Sequence, residues 1–147
     1  MSWDDSGNAF LQGSGPTTTV IDPDGTPNNI LQENIGGSVR VNWGFSGPGR
    51  FFLTPTQFTV SLYAESIGPG PERLVGSVIV AGSNHTPGPI WNFTGTVVIP
   101  PNSLPAANGP VASGVYRLTV IVTNSIGGVR DALAGFVEGP VIEMRSP

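Results

Sequence analysis

The sequence predicts an all-β protein, an antiparallel β-sandwich of seven to nine strands preceded by an N-terminal arm. Three observations predict it. Several runs of about four to eight residues alternate apolar and polar side chains with a period of two, the repeat of a strand that buries one face. Fifteen prolines and twenty-one glycines are scattered without a repeat and supply the many turns that such a fold needs. No stretch longer than about ten residues has helical periodicity. At 147 residues the chain is sized for one domain that can bury a core without metal or disulfide staples. The expected division is an arm over residues 1–16 and the sandwich over 17–147.

The arm is Gly, Ser, Asn and Asp around Trp3, Phe10 and Leu11. Three bulky hydrophobes are costly to leave in water, so they dock, either on their own domain or on a neighbouring copy. Residues 17–21 read as a first short strand, and Asp22, Pro23, Asp24 and Gly25 as a turn. Ile30 and Leu31 form a short edge segment, and Gly36 and Gly37 turn the chain. In residues 38–45, Val39, Val41, Trp43 and Phe45 alternate with polar or small residues, which makes Trp43 the candidate for the large central side chain.

Residues 50–56 are a loop carrying Phe51, Phe52 and Leu53. Residues 58–64 resume the alternation, with Phe58, Val60, Leu62 and Ala64 inward and Thr59, Ser61 and Tyr63 outward. The Gly and Pro run at 68–71 is a rigid turn. Residues 74–81 carry no charge and no proline. Residues 91–99 follow as a strand, with Gly95 marking a bulge. A loop over 100–110 leads to residues 113–124, the cleanest alternation in the chain: Tyr116, Leu118, Val120 and Val122 against Arg117, Thr119, Ile121 and Thr123. The opening Gly114, Val115 and Tyr116 resemble the late central strand of immunoglobulin-like and fibronectin type III-like sandwiches. That resemblance implies a hydrogen bond from the tyrosine back to an upstream loop. Residues 126–131 read as a turn, and 132–144 as a closing strand interrupted at Gly139 and Pro140.

Composition excludes several kinds of chemistry. Cysteine is absent, so there is no disulfide framework, thiol nucleophile or cysteine-held metal. All six cations are arginines, so lysine Schiff bases and lysine isopeptide bonds are excluded. Six arginines spread through a chain of net charge −4 do not make a stripe that tracks phosphates, and nucleic acid is not an expected partner. No apolar run approaches the roughly 20 residues that span a bilayer. The first residues lack the basic start and apolar run of a signal peptide, which leaves both a cytoplasmic and an extracellular or cell-surface setting open.

The remaining chemical candidates are few. His85, the single histidine, sits in a turn and has no triad or ligand pattern around it. Asp22 and Asp24 are weak calcium candidates, with Asp4 or Asp5 as further oxygens. Pro27, however, occupies the position that a twelve-residue calcium loop gives to glycine. Glu65, Glu72, Glu138 and Glu143 are available carboxylates, but no spacing pairs them across a cleft as glycoside hydrolysis requires. No cofactor is expected. Phe51, Phe52, Tyr63 and Trp91 could form a platform for stacking sugar rings.

Only 11% of residues are charged, against about 25% in ordinary soluble domains. Sheet edges are normally guarded by charge, proline or bulges, and residues 74–81 offer none of these. Lying at an edge, Leu74, Val75, Val78, Ile79 and Val80 would be a template for another chain; lying centrally, they would need no guard. The expectation is therefore a non-enzymatic structural subunit that self-associates, as a filament or surface layer, through this strand and the arm. The alternative is a carbohydrate- or ligand-binding module built on the four aromatics.

Overall fold

Period-two alternation builds two layers, each turning one face of its strands to the other. The computed structural model describes residues 2–3 and 10–147, with the backbone alone at Ser2 and at 130–132. Within these residues the strands are β1 (Ser2–Trp3), β2 (Gln12–Ile21), β3 (Ile30–Gln32), β4 (Gly37–Ser46), β5 (Gln57–Ser66), β6 (Glu72–Ala81), β7 (Ile90–Ile99), β8 (Val115–Ile126) and β9 (Val129–Arg145). A short 3₁₀ helix, Pro48–Leu53, lies between β4 and β5. The large sheet has the order β1-β9-β8-β5-β6, with β3 added in parallel to the far end of β9, and the small sheet has the order β2-β4-β7. All other pairings are antiparallel.

The inward faces meet in an aromatic centre. Trp43 stacks on Phe93 at 5.8 Å and meets Phe58 edge-on at 5.4 Å, while Phe45 stacks on Phe58 at 5.9 Å. Such pairs add about 0.5–1.5 kcal/mol each to the burial of their area. Val60, Leu62, Leu118, Val120 and Val122 complete the large sheet's inner face. Tyr116 is buried, and its hydroxyl donates to the carbonyl of Pro105 at 2.7 Å, in the loop before its strand. This is the bond that the resemblance at residues 114–116 implied.

Four local expectations are corrected. β2 starts at Gln12 rather than 17, because Gln12, Gly13 and Ser14 pair with Ser46, Phe45 and Gly44 before an irregularity at Gly15 and Pro16. Gly95 is not a bulge. The β4–β7 register runs unbroken past it, and the missing side chain leaves room for Val60 and Val80, whose methyls stand 3.2 Å from where a Cβ would sit. The turn expected over 126–131 is confined to Gly127 and Gly128, both at positive φ, so β9 starts at Val129. Finally, β9 runs through Gly139 and Pro140; the disturbance there is absorbed as a register shift against β8.

The two flanks of the sandwich differ. On one, β2 of the small sheet lies beside β9 of the large sheet, and the chain after β2 laces them together. The Asn28 amide donates to the Val20 carbonyl of β2 at 3.0 Å, and the Glu143 amide of β9 donates to the Asn29 carbonyl at 2.9 Å. The Thr18 hydroxyl reaches the Gly139 carbonyl at 3.4 Å. On the other flank β6 and β7 come together where Gly76 faces a Val97 methyl and the Val98 carbonyl, and among the described residues no hydrogen bond joins them.

Candidate functional site

Strand β6 is the outermost strand of the large sheet and hydrogen-bonds to β5 alone. An antiparallel edge strand turns alternate backbone amides and carbonyls away from its neighbour. Of the five apolar residues named from the sequence, Val80 is buried and Val78 and Val75 are partly buried against the core, while Leu74 and Ile79 face outward, Ile79 being 62% exposed. The edge does carry one guard, which corrects the sequence reading. The register with β5 shifts between Leu62 and Tyr63, where Gly76 and then Leu74 are the partners, so Val75 is a bulge residue. Glu72 and Arg73 precede it. The unguarded part is therefore residues 76–81, which pair regularly with 57–62.

The outer face of the large sheet continues this surface. Cross-strand partners align Ile79, Thr59, Thr123 and Ala134 in one row and Ser77, Ser61, Ile121 and Phe136 in the next. Neither row contains a charge. Further along, Leu74, Tyr63, Thr119 and Ile121 line a shallow hollow of about 400 Å³, rimmed by Glu65, Glu72 and Arg73. Glu65 and Glu72 are cross-strand partners here, side by side on one sheet surface rather than facing each other across a cleft. Glu138 and Glu143 lie on β9, where Glu143 pairs with Arg145 at 3.1 Å.

The arm candidates lie against the body of their own chain. Trp3 pairs with Gly135, its indole lies where a Cβ of Gly135 would be, and it meets Phe45 edge-on at 4.8 Å. Its Nε1 donates to the Ser14 carbonyl at 3.2 Å. Leu11 packs on the core, and Phe10 accepts the Gly49 amide at 2.7 Å and stands 6.1 Å from Phe52.

The four aromatic ligand candidates are divided. Phe51 meets Trp91 edge-on at 5.3 Å, Phe52 sits beside Phe10, and Tyr63 lies on the other sheet's outer face. Trp91 is only 6% exposed, because His85 stacks on it at 3.5 Å with the rings nearly parallel. The Arg50 guanidinium covers Phe51 at 4.4 Å. No open tryptophan face remains there for a sugar.

Asp22 and Asp24 both accept from Thr26, at 3.0–3.1 Å and 2.7 Å for its hydroxyl. The hydrogen-bonding contact with Asp24, followed by those of Thr26 and Asn28, holds the Asp22 carboxyl below its ordinary range against some opposing desolvation. Among the described residues no three His, Cys, Asp or Glu side chains gather as metal ligands. Asp4 and Asp5 lie outside the described residues.

Sequence reasoning missed a buried polar link. Asn124, at an inward position of β8, donates to the Thr56 hydroxyl at 2.8 Å and the Gln57 carbonyl at 3.3 Å, and Thr56 in turn donates to the Leu53 carbonyl at 2.6 Å. The link fixes the aromatic loop to the sheet. Its signal was an amide on the apolar side of a regular alternation.

No protein-family model matches the chain, and no curated protein matches it. Among solved structures, the sporulation control protein Spo0M of Bacillus subtilis matches with 14% identity and a TM-score of 0.38, over 94% of this chain and 50% of that one. The chain thus spans about half the length of that neighbour.

Proposed function

We propose that this protein is a non-enzymatic structural subunit, an immunoglobulin-like sandwich that joins a second copy of itself edge to edge through β6. The single observation that carries the reading is the position of residues 76–81: a regular, uncharged strand on the boundary of a sheet, with one side of its backbone unpaired. The same edge on two copies is self-complementary about a twofold axis, so one surface suffices for both partners. With the axis at Val78, Ser77 of one copy lies opposite Ile79 of the other, and Gly76 opposite Val80. Inward and outward faces then match, and Glu72 and Arg73 meet only Asn84 and Ser83. The uncharged rows on the outer face extend across the join. The arm is not needed in this arrangement, since Trp3 is engaged within its own chain.

Light scattering on a size-exclusion column, run over a range of concentrations, tests the proposal. The unmodified chain should move from monomer to dimer or larger species, and amide exchange over 76–80 should slow as it does. Ile79→Lys, which sets a charge at the middle of the join, should keep it monomeric. A chain that is monomeric throughout, or one whose association ignores Ile79→Lys, would sink the reading.

A further inference from the structure

The two ends of the sandwich differ in what their described side chains present. Antiparallel pairing brings the 3₁₀ helix, the loop after β6, the β8–β9 turn and the chain before β2 to one end. At that end Phe51, Phe52, Ile126 and Val129 are exposed, with Phe52 at 72%. Its described side chains include Arg50 and His85 but no carboxylate; those of Asp4, Asp5 and Asp131 lie outside the description. The opposite end holds a cleft of about 470 Å³ beside β3, with Leu31 as its floor, Ile30 and Ile35 as walls and Asp22 and Asp24 on its rim. Arg145 also borders it, already paired with Glu143. About 150 Å³ of apolar space holds a benzene ring, so this cleft has room for a phenylalanine side chain.

We propose that copies of this chain also associate end to end, Phe52 and its neighbours seating in the cleft beside β3 of the next copy, with Arg50 approaching the rim that Asp22 and Asp24 form. An exposed aromatic beside a cation on one end, and a cleft with an apolar floor and walls and two carboxylates on its rim on the other, make the occupant a second copy. The contact joins unlike surfaces and therefore does not close after two subunits. It is independent of the β6 join and would run along the strands rather than across them.

The test uses Ile79→Lys chains, in which the lateral join is silenced, so that failure here is distinct from failure of the edge-to-edge reading. Sedimentation should then show open-ended, concentration-dependent growth. Phe52→Ser and Ile35→Arg should each weaken it by about thirtyfold, the effect of losing a central aromatic anchor, with Asp24→Arg as a second cleft variant and circular dichroism confirming that each folds. Mixing Phe52→Ser with Ile35→Arg should restore one good contact and give a one-to-one dimer that grows no further. Growth that ignores these substitutions, or a mixture that stays monomeric, overturns the proposal. So does a parent that stays monomeric yet floats with phosphatidylserine-containing vesicles in a Phe52-dependent way, since the end would then be a membrane surface.

Discussion

The β2–β9 flank and the β6–β7 flank solve the same problem differently. Each is a place where two sheets end and backbone groups of the outer strands face away from their own sheet. On the first flank, the chain itself supplies the partners: the Asn28 amide donates to the small sheet and the Asn29 carbonyl accepts from the large one, β3 and β1 add to β9, and Trp3 covers Gly135. On the second, no hydrogen bond joins β6 to β7 among the described residues, and the outer backbone edge of β6 has no strand partner. The comparison teaches that the chain has the means to seal a flank and spends them on one side only.

Substitutions on each flank test this difference. Trp3→Ala should lower stability by about 2–3 kcal/mol, somewhat less than truncation of a fully buried aromatic. Gly135→Ala, whose new methyl would occupy the indole's place, should cost a similar amount. The double variant should lose little more than either alone in chemical denaturation, because both act on one contact; simple additivity would mean that Trp3 does not seal this flank.

Tyr116 belongs to neither flank and gives a scale for a buried tie. Tyr116→Phe should cost about 1 kcal/mol through the lost bond to Pro105. Burial raises the Tyr116 phenol above its ordinary value of 10.0. The stability that depends on the neutral phenol is therefore intact below about pH 10 and is lost as pH rises through the folded value. Denaturation midpoints taken across the alkaline range should fall more steeply for the unmodified chain than for Tyr116→Phe.

Smaller still is Thr18→Val, which removes a long hydrogen bond between the sheets and should cost less than about 1 kcal/mol. Ile79→Lys on the open flank should change the stability of the isolated monomer by no more than about 0.5 kcal/mol in a thermal melt, as exposed positions usually do. Its effect should appear in association alone. A large loss of monomer stability would show that the second flank carries a load within the chain.

Much of the fold was legible because strand alternation is a local property. Trp43 at the centre, the inward sets of β4, β5 and β8, and the turns at 22–25 and 68–71 all follow from neighbouring residues. The misread places depended on partners distant in sequence. Gly95 looks like a bulge until Val60 and Val80 are known to lie over it, and Gln12 to Ser14 look like an arm until Ser46 to Gly44 are known to pair with them. The residues of β6 could be named from the sequence, but whether they lay at an edge could not, because strand order is set by packing. The four aromatics were identified by type alone, and packing placed Phe51 and Phe52 on the 3₁₀ helix beside Trp91 and Phe10 and set Tyr63 on the far sheet.

The lacing by Asn28 and Asn29 also bears on how the chain is made. Both β1 and β3 find their partners on β9, more than a hundred residues later. At about 5–20 residues per second, a ribosome needs several seconds to cover that interval. During this time β5 and β6 can already form a hairpin, while β1 and β3 wait for their strand partner. Crowded nascent chains would therefore meet one another with the β6 border exposed before the opposite side has closed, and chaperone occupancy should be greatest in that window.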